Sequence, residues 1–292
     1  MPTSPTRKSR SRRASASASQ FRSGTFARGS RVRLTGGEPL TRPGLVELAS
    51  RLGEISGVRD LSLSTNGTLL AQHAKGLRAA GVKRINVSLD SLQRERFTTI
   101  TRRDRLASVL EGLDCAKECH FSPIKVNMVI LTGVNDDEID AMVEFCLGQG
   151  FILRLIEAMP VEDVGWRTSQ FDLAAVRDQL RRRFGLIDGV VPGGGPARYL
   201  RTVRGDFSIG FITPVTQHFC ESCNRVRLSV DGTLYLCLGE QNNVDLRGPM
   251  RSGATDTNLA DIIRGALNRK PLRHDFSQAA NKAMRSMVKI GG

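Results

Sequence analysis

Residues 31–39 read Arg-Val-Arg-Leu-Thr-Gly-Gly-Glu-Pro, and residues 60–67 read Asp-Leu-Ser-Leu-Ser-Thr-Asn-Gly. Each stretch begins as a run of strand length and ends in a polar turn carrying glycine. Each is followed by a helical pattern, near 43–54 in the first case and over 70–80 in the second. Leu45, Leu48, Ala49 and Leu52 recur at the spacing that gives a helix one apolar face. Strand–turn–helix units in succession make βαβ crossovers, and those demand a parallel sheet.

The rhythm continues downstream. Strands are expected over 84–89, 124–131 and 153–158, alternating with helices over 105–119, 138–148 and 173–184. The fold class is therefore α/β, a parallel sheet with an outer helical layer, open or closed into a barrel. Pro192-Gly193-Gly194-Gly195-Pro196 breaks the alternation. Beyond it lie β-like runs at 198–203, 207–212, 226–230 and 233–238, with Asp231-Gly232 as a hairpin turn, and then a helix near 258–267. The chain divides into a tail (1–29), a barrel-like part (30–190) and a C-terminal region (191–292).

Polar residues recur where strands end. Gly36-Gly37 follows the first strand, and Ser64-Thr65-Asn66-Gly67 closes the second. Ser88 ends the third, Lys125-Val126-Asn127 lies on the fourth, and Glu157-Ala158-Met159-Pro160 ends the fifth. Barrels of this kind gather their ligand site at one rim, built from strand ends. Paired glycines let the backbone approach a ligand closely, because no Cβ intervenes.

Cys220-Glu221-Ser222-Cys223 is a C-x2-C knuckle, and Cys237 follows after thirteen intervening residues, on the second strand of the expected hairpin. The knuckle points two thiolates at one ion, and the hairpin returns a third. Spacing alone leaves two readings equally open. One is a zinc site completed by His218; the other is an iron–sulfur cluster with one open iron. Cys115 and Cys119 lie four apart on a helix and read as packing residues, as does Cys146. In Arg225-Val226-Arg227, strand alternation puts both guanidinium groups on one face, an arrangement suited to a phosphate or a purine edge.

Composition narrows the classes. The 292 residues are 40% hydrophobic, enough for a core. No apolar run approaches the roughly 18 residues of a membrane span, so no membrane association is expected. The net charge of +14 is uneven: residues 1–33 hold nine Lys or Arg and no acid, leaving +5 for the rest. A mildly basic body fits a small anionic substrate at least as well as nucleic acid. The Arg- and Ser-rich start reads as disordered, and a solvated tail fits it better than an organellar transit segment. Cysteines in a long chain without a secretory h-region point to a reducing, cytoplasmic setting. A zinc-stabilised nucleic-acid-binding module with a basic arm is the reading from another class. One Trp and two Tyr leave little for base stacking.

Taken together, the motifs resemble the GTP 3′,8-cyclase family of radical S-adenosylmethionine enzymes, which acts in molybdenum cofactor biosynthesis. The match runs from about Arg31 to Gly292. It rests on Arg-Leu-Thr-Gly-Gly-Glu-Pro, Ser-Thr-Asn-Gly, Asn-Val-Ser-Leu-Asp, Ile-Lys-Val-Asn, C-x2-C-x13-C, Asn224-Arg225-Val226-Arg227 and the terminal Gly-Gly, in that order. The resemblance implies an incomplete, TIM-like (β/α) radical S-adenosylmethionine barrel with a β-rich and helical cluster-binding region after it. It implies that Gly37, Ser88 and Met159 line the S-adenosylmethionine site. Arg33, Ser64, Lys125, Arg225, Val226 and Arg227 would contact GTP, with Ser64 standing where the family usually has Thr. Cys220, Cys223 and Cys237 would hold a C-terminal [4Fe–4S] cluster, which favours iron–sulfur over zinc and makes His218 a neighbour. Gly291 and Gly292 would reach into the active site. The implied reaction converts GTP to (8S)-3′,8-cyclo-7,8-dihydroguanosine 5′-triphosphate, which passes to cyclic pyranopterin monophosphate synthase. The family is homodimeric.

One departure stands out. The family's N-terminal [4Fe–4S] cluster needs a C-x3-C-x2-C motif upstream of Gly-Gly-Glu-Pro, and no cysteine precedes Cys115. The expectation is a truncated or mis-started cyclase that does not cleave S-adenosylmethionine reductively. The alternative is a GTP-binding partner subunit without turnover.

Overall fold

Side-chain parity along the strands organises the molecule. The computed structural model describes residues 30–159, 171–191, 195–214, 216, 223–237 and 242–271. The basic tail, Pro192–Gly194, His218, Cys220 and Gly291-Gly292 lie outside them. Five parallel strands run β1 (Ser30–Leu34), β2 (Val58–Thr65), β3 (Arg84–Ser88), β4 (Ile124–Ile130) and β5 (Ile152–Glu157). On one parity stand Leu61, Leu63, Ile85, Val87, Val126, Met128, Leu153 and Leu155, all buried. On the other, register aligns Arg33 with Ser62, Ser64 with Asn86, Asn86 with Lys125, and Asn127 with Arg154. A parallel sheet packed on both faces would read as continuous apolar runs. This one is packed on a single face.

Helices cover the apolar face. They are α1 (Leu45–Gly53), α2 (Leu70–Ala79), α3 (Arg94–Thr101), α4 (Leu106–Glu118), α5 (Ile139–Gln149) and α6 (Leu173–Phe184). The first apolar stripe is Leu45, Ala49 and Leu52, as periodicity predicts. Leu70, Ala74 and Leu77 follow on α2, and Val109, Leu113 and Ala116 on α4. Each such leucine contributes about 1.5–3 kcal/mol on leaving water. Helix α3 escapes the sequence reading because only Phe97 is buried on it. Ion pairs hold its exposed side: Arg94 to Asp104, and Arg96 to Asp137 and Glu138.

The sheet does not stop at residue 190. Strand β8 (Ser208–Ile212) pairs parallel with β5, and β7 (Arg198–Arg201) and β6 (Ile187–Gly189) add antiparallel beyond it. The order β1-β2-β3-β4-β5-β8-β7-β6 has two ends, so the strands form an open arc, an incomplete barrel. The glycine- and proline-rich break falls in sequence between the antiparallel neighbours β6 and β7. Among the described residues, no helix is long and apolar enough to cross a membrane.

A second, three-stranded antiparallel sheet follows: β9 (Arg227–Leu228), β10 (Thr233–Tyr235) and β11 (Asn243–Asp245). The hairpin at Asp231-Gly232 forms as its sequence predicts, with shorter strands, and β11 is too short to leave a pattern. Helix α7 (Arg247–Arg251) and helix α8 (Asp256–Leu267) come next. Leu234, Leu236, Leu246 and Ala266 make a small core of their own. Helix α8 starts two residues before its apolar pattern because Thr255 and Asn258 form a reciprocal capping box.

Candidate functional site

The polar parity of the arc opens onto a cavity of about 490 Å³. Arg33, Arg84, Lys125, Arg154, Arg177 and Arg198 line it, with Asn86, Tyr199 and a single carboxylate, Asp188. Arg84 is paired with Asp60, and Arg177 with Asp188 at 3.0 Å. Lys125 and Arg154 are buried and donate hydrogen bonds to neutral groups. Lys125 donates to Tyr199 Oη at 3.2 Å, and Arg154 donates to Asn127 Oδ1 at 2.7 Å and Asn86 Oδ1 at 2.6 Å. A cavity walled this way has an excess of positive charge and room for a polyanion.

Crowding registers in the acid–base chemistry. Burial, with Arg154, Arg84 and Arg33 alongside, brings the Lys125 ammonium down to about 8. Burial and the neighbouring Arg154, Arg225 and Arg84 draw Arg33 down to about 10. Burial pushes the Tyr199 phenol up, and Arg154 beside it works against that shift. The Tyr199 ring lies against β8 only because residue 210 is glycine: a Cβ there would stand 2.7 Å from Tyr199 Cε1. In that place the ring centroid is 5.3 Å from Lys125 Nζ, within cation–π range.

Arg33 and Lys125, which the resemblance assigns to GTP, both line this cavity. Ser64 sits beside it, accepting a hydrogen bond from Asn86 Nδ2 at 3.2 Å. Arg225 reaches its wall, where the guanidinium passes 3.7 Å from the Cβ position of Gly195. Arg225 and Arg227 are both half-buried with Val226 exposed between them, so the shared face persists although only Arg227 is in a strand. Sequence reasoning missed Arg154, Tyr199, Arg84, Arg177 and Arg198. The signal for Arg154 was present: an arginine in the middle of Ile152-Leu153-Arg154-Leu155-Ile156 has to face something other than a packed core.

Gly37, Ser88 and Met159 sit at or just past the C-terminal ends of β1, β3 and β5, hence on one rim of the parallel strands. None of them lines the 490 Å³ cavity. The turn bearing the paired glycines is pinned by Glu38. Its carboxylate accepts from Thr65 Oγ1 and the Asn66 amide, both at 2.7 Å, and from the Leu40 amide at 3.0 Å. Gly36 adopts φ +145°, a conformation side chains rarely allow. Glu38 is thus a structural clamp that holds the end of β1 to the end of β2.

Cys223 and Cys237 are free, half-buried thiols. Both act electrostatically on Arg227, and Cys223 acts on Arg225. Two soft sulfur donors thus stand beside partly desolvated guanidinium groups, and Cys220, the remaining cysteine of the C-x2-C-x13-C spacing, lies outside the described residues. Cys115 on α4 and Cys119 at its C-cap instead pack against the core, and Cys146 is wholly buried.

Two family models match the chain. The radical SAM superfamily model covers residues 2–146, and the molybdenum cofactor synthesis C model covers residues 151–276. The GTP 3′,8-cyclase of Erythrobacter litoralis is 48% identical over 250 residues, which are 84% of this chain and 75% of that protein. The GTP 3′,8-cyclase of Paracoccus denitrificans is 44% identical over 273 residues, covering 90% and 78%. Among solved structures, Streptococcus suis SuiB superposes with a TM-score of 0.57 at 13% identity, over 96% of this chain and 70% of that one. That likeness speaks for the fold alone.

Proposed function

The chain belongs to the GTP 3′,8-cyclase family of molybdenum cofactor biosynthesis, and from that premise we propose that the arc holds GTP between its cationic cavity and the cysteine-bearing segment. Arg33, Lys125 and Arg154 take the triphosphate. Arg225 and Arg227 stand over the nucleoside. The ribose between them faces the strand-end rim, where Gly37, Ser88 and Met159 form the S-adenosylmethionine side. The observation that carries this reading is contiguity: Arg225 belongs to the cysteine segment yet acts on Arg33 and Arg154 inside the cavity. One elongated anion can therefore touch both.

The donor set suits one of the family's two clusters. Cys220, Cys223 and Cys237 would hold a [4Fe–4S] cluster, which would supply a Lewis-acidic iron to the purine. S-adenosylmethionine, when bound and reduced, supplies the radical chemistry at the ribose. The protein's share is orientation. Fixed cations on the triphosphate hold the ribose in register, and the Glu38 clamp keeps the glycine turn where backbone can meet the cofactor. The second cluster does not fit these residues. Within 2–146 the cysteines are Cys115, Cys119 and Cys146, the first two packed against the core and the third buried in it. That observation favours a second reading in which GTP is held without turnover.

Calorimetric titration of the anaerobically reconstituted protein with GTP, GMP and ATP tests the binding reading. GTP binding tighter than both is expected, the triphosphate preference coming from the cavity and the guanine preference from the cysteine segment. GMP or ATP binding as well as GTP would overturn it. An anaerobic dithionite assay separates turnover from holding: 5′-deoxyadenosine above a no-protein control means turnover, and its absence with GTP bound means holding.

A further inference from the structure

Lys270 follows α8 and turns back toward the hairpin. Its ammonium donates to Leu236 O at 2.6 Å and to Arg225 O at 2.9 Å, and it stands 4.0 Å from Cys223 Sγ. Leu236 directly precedes Cys237, and Arg225 follows Cys223 by two residues. Both carbonyls lie just outside the paired part of the ladder, which joins Leu234 to Leu228 and Tyr235 to Arg227. Where the strands stop bonding each other, one half-buried lysine bonds both.

Two carbonyls alone do not call for a charge. A neutral amide would satisfy them without the cost of desolvating an ammonium. The third neighbour supplies the reason: Cys223 Sγ stands beside the ammonium, and a metal cluster carried on these cysteines would compensate its charge.

We propose that Lys270 is a positioning residue for the metal cluster on Cys220, Cys223 and Cys237. It sets the separation of the two cysteine segments and keeps a fixed positive charge against the thiolates. The inference rests on the cluster reading above. Side chains that orient metal ligands from outside are sensitive positions, and losing one costs roughly 10–100-fold in metal affinity or activity. A neighbouring cation also favours the reduced, more negative cluster, so removing it lowers the midpoint potential.

The test compares the full chain with Lys270→Met and Lys270→Arg after anaerobic reconstitution. It reads iron per chain, the rate of iron loss to a chelator, the midpoint potential by electron paramagnetic resonance, and the melting temperature without metal. Lys270→Met is expected to lose iron about 10-fold faster or more and to show a more negative potential, with Lys270→Arg returning part of the shift. A Lys270→Met protein with wild-type chelation rate and potential overturns the proposal. So does one in which only the metal-free melting temperature falls, since that marks a packing peg. Absence of iron from the wild type overturns the cluster reading itself, and this inference with it.

Discussion

On the helix-facing side of β5, Leu153 and Leu155 are completely buried. One residue over, Arg154 faces the other way and donates to Asn127 and Asn86. The same contrast runs across the arc. Leu63 backs onto the core while Ser64 and Asn86 face inward, and Val126 is core while Lys125 meets Tyr199. The outer parity gains free energy by leaving water. The inner parity spends part of that gain on holding like charges together without a matching set of acids. Stability and binding are thus interleaved in sequence and separated in space, so adjacent substitutions should have opposite signatures.

The largest effect is expected on the outer parity. Leu155→Ala leaves a cavity in a fully buried site and should cost about 2–5 kcal/mol of unfolding free energy. Chemical denaturation measures it, and the folded fraction should keep wild-type GTP affinity. If affinity falls as well, the two faces are coupled and the comparison breaks.

Next comes the inner parity. Arg154→Met removes a charge-assisted contact to the triphosphate, and GTP affinity should fall by roughly 10–100-fold. Unfolding free energy of the free protein should hold steady or rise, because a crowded cation has gone. A clear loss of stability would show that Arg154 is a structural brace.

The smallest effect comes from pH and sharpens the same contrast. Lys125 is held at about 8 in the free protein, and a bound triphosphate restores its charge. GTP binding therefore takes up a proton above pH 8, and affinity should fall about 10-fold between pH 7 and 9. Stability runs the other way. The folded pKa lies below that of an unfolded lysine, so between the two the unfolded chain binds more protons, and rising pH stabilises the free protein. Calorimetry in buffers of different ionisation enthalpy reads the proton uptake. A flat profile in Lys125→Arg assigns it to this residue.

The arc was legible because its strands and helices carry clean periods. Asn66-Gly67, Asp231-Gly232 and the heptad-like stripe of α1 each announce one local geometry. Helix α3 was not legible, since Arg94–Thr101 shows a single buried residue and is held by ion pairs to Asp104, Asp137 and Glu138, which no local pattern reveals. The continuation of the sheet into β8 depends on a pairing with β5 more than fifty residues away in the chain. At the site, Arg33 and Lys125 came through family resemblance. Arg154 could have been read from parity alone, whereas Tyr199 needed Gly210 across the strand to reveal its place.

The alternation also bears on folding fidelity. A slip of one residue in the pairing of β5 would turn Arg154 toward the helices and expose Leu153 and Leu155 to the cavity. Burying an unpaired guanidinium in that layer costs several kcal/mol, so a mispaired sheet is rejected before it can compact. The cations that crowd the inner face thus serve as a spell-check on strand alignment, and replacing them all with neutral residues would remove the penalty that keeps wrong registers rare.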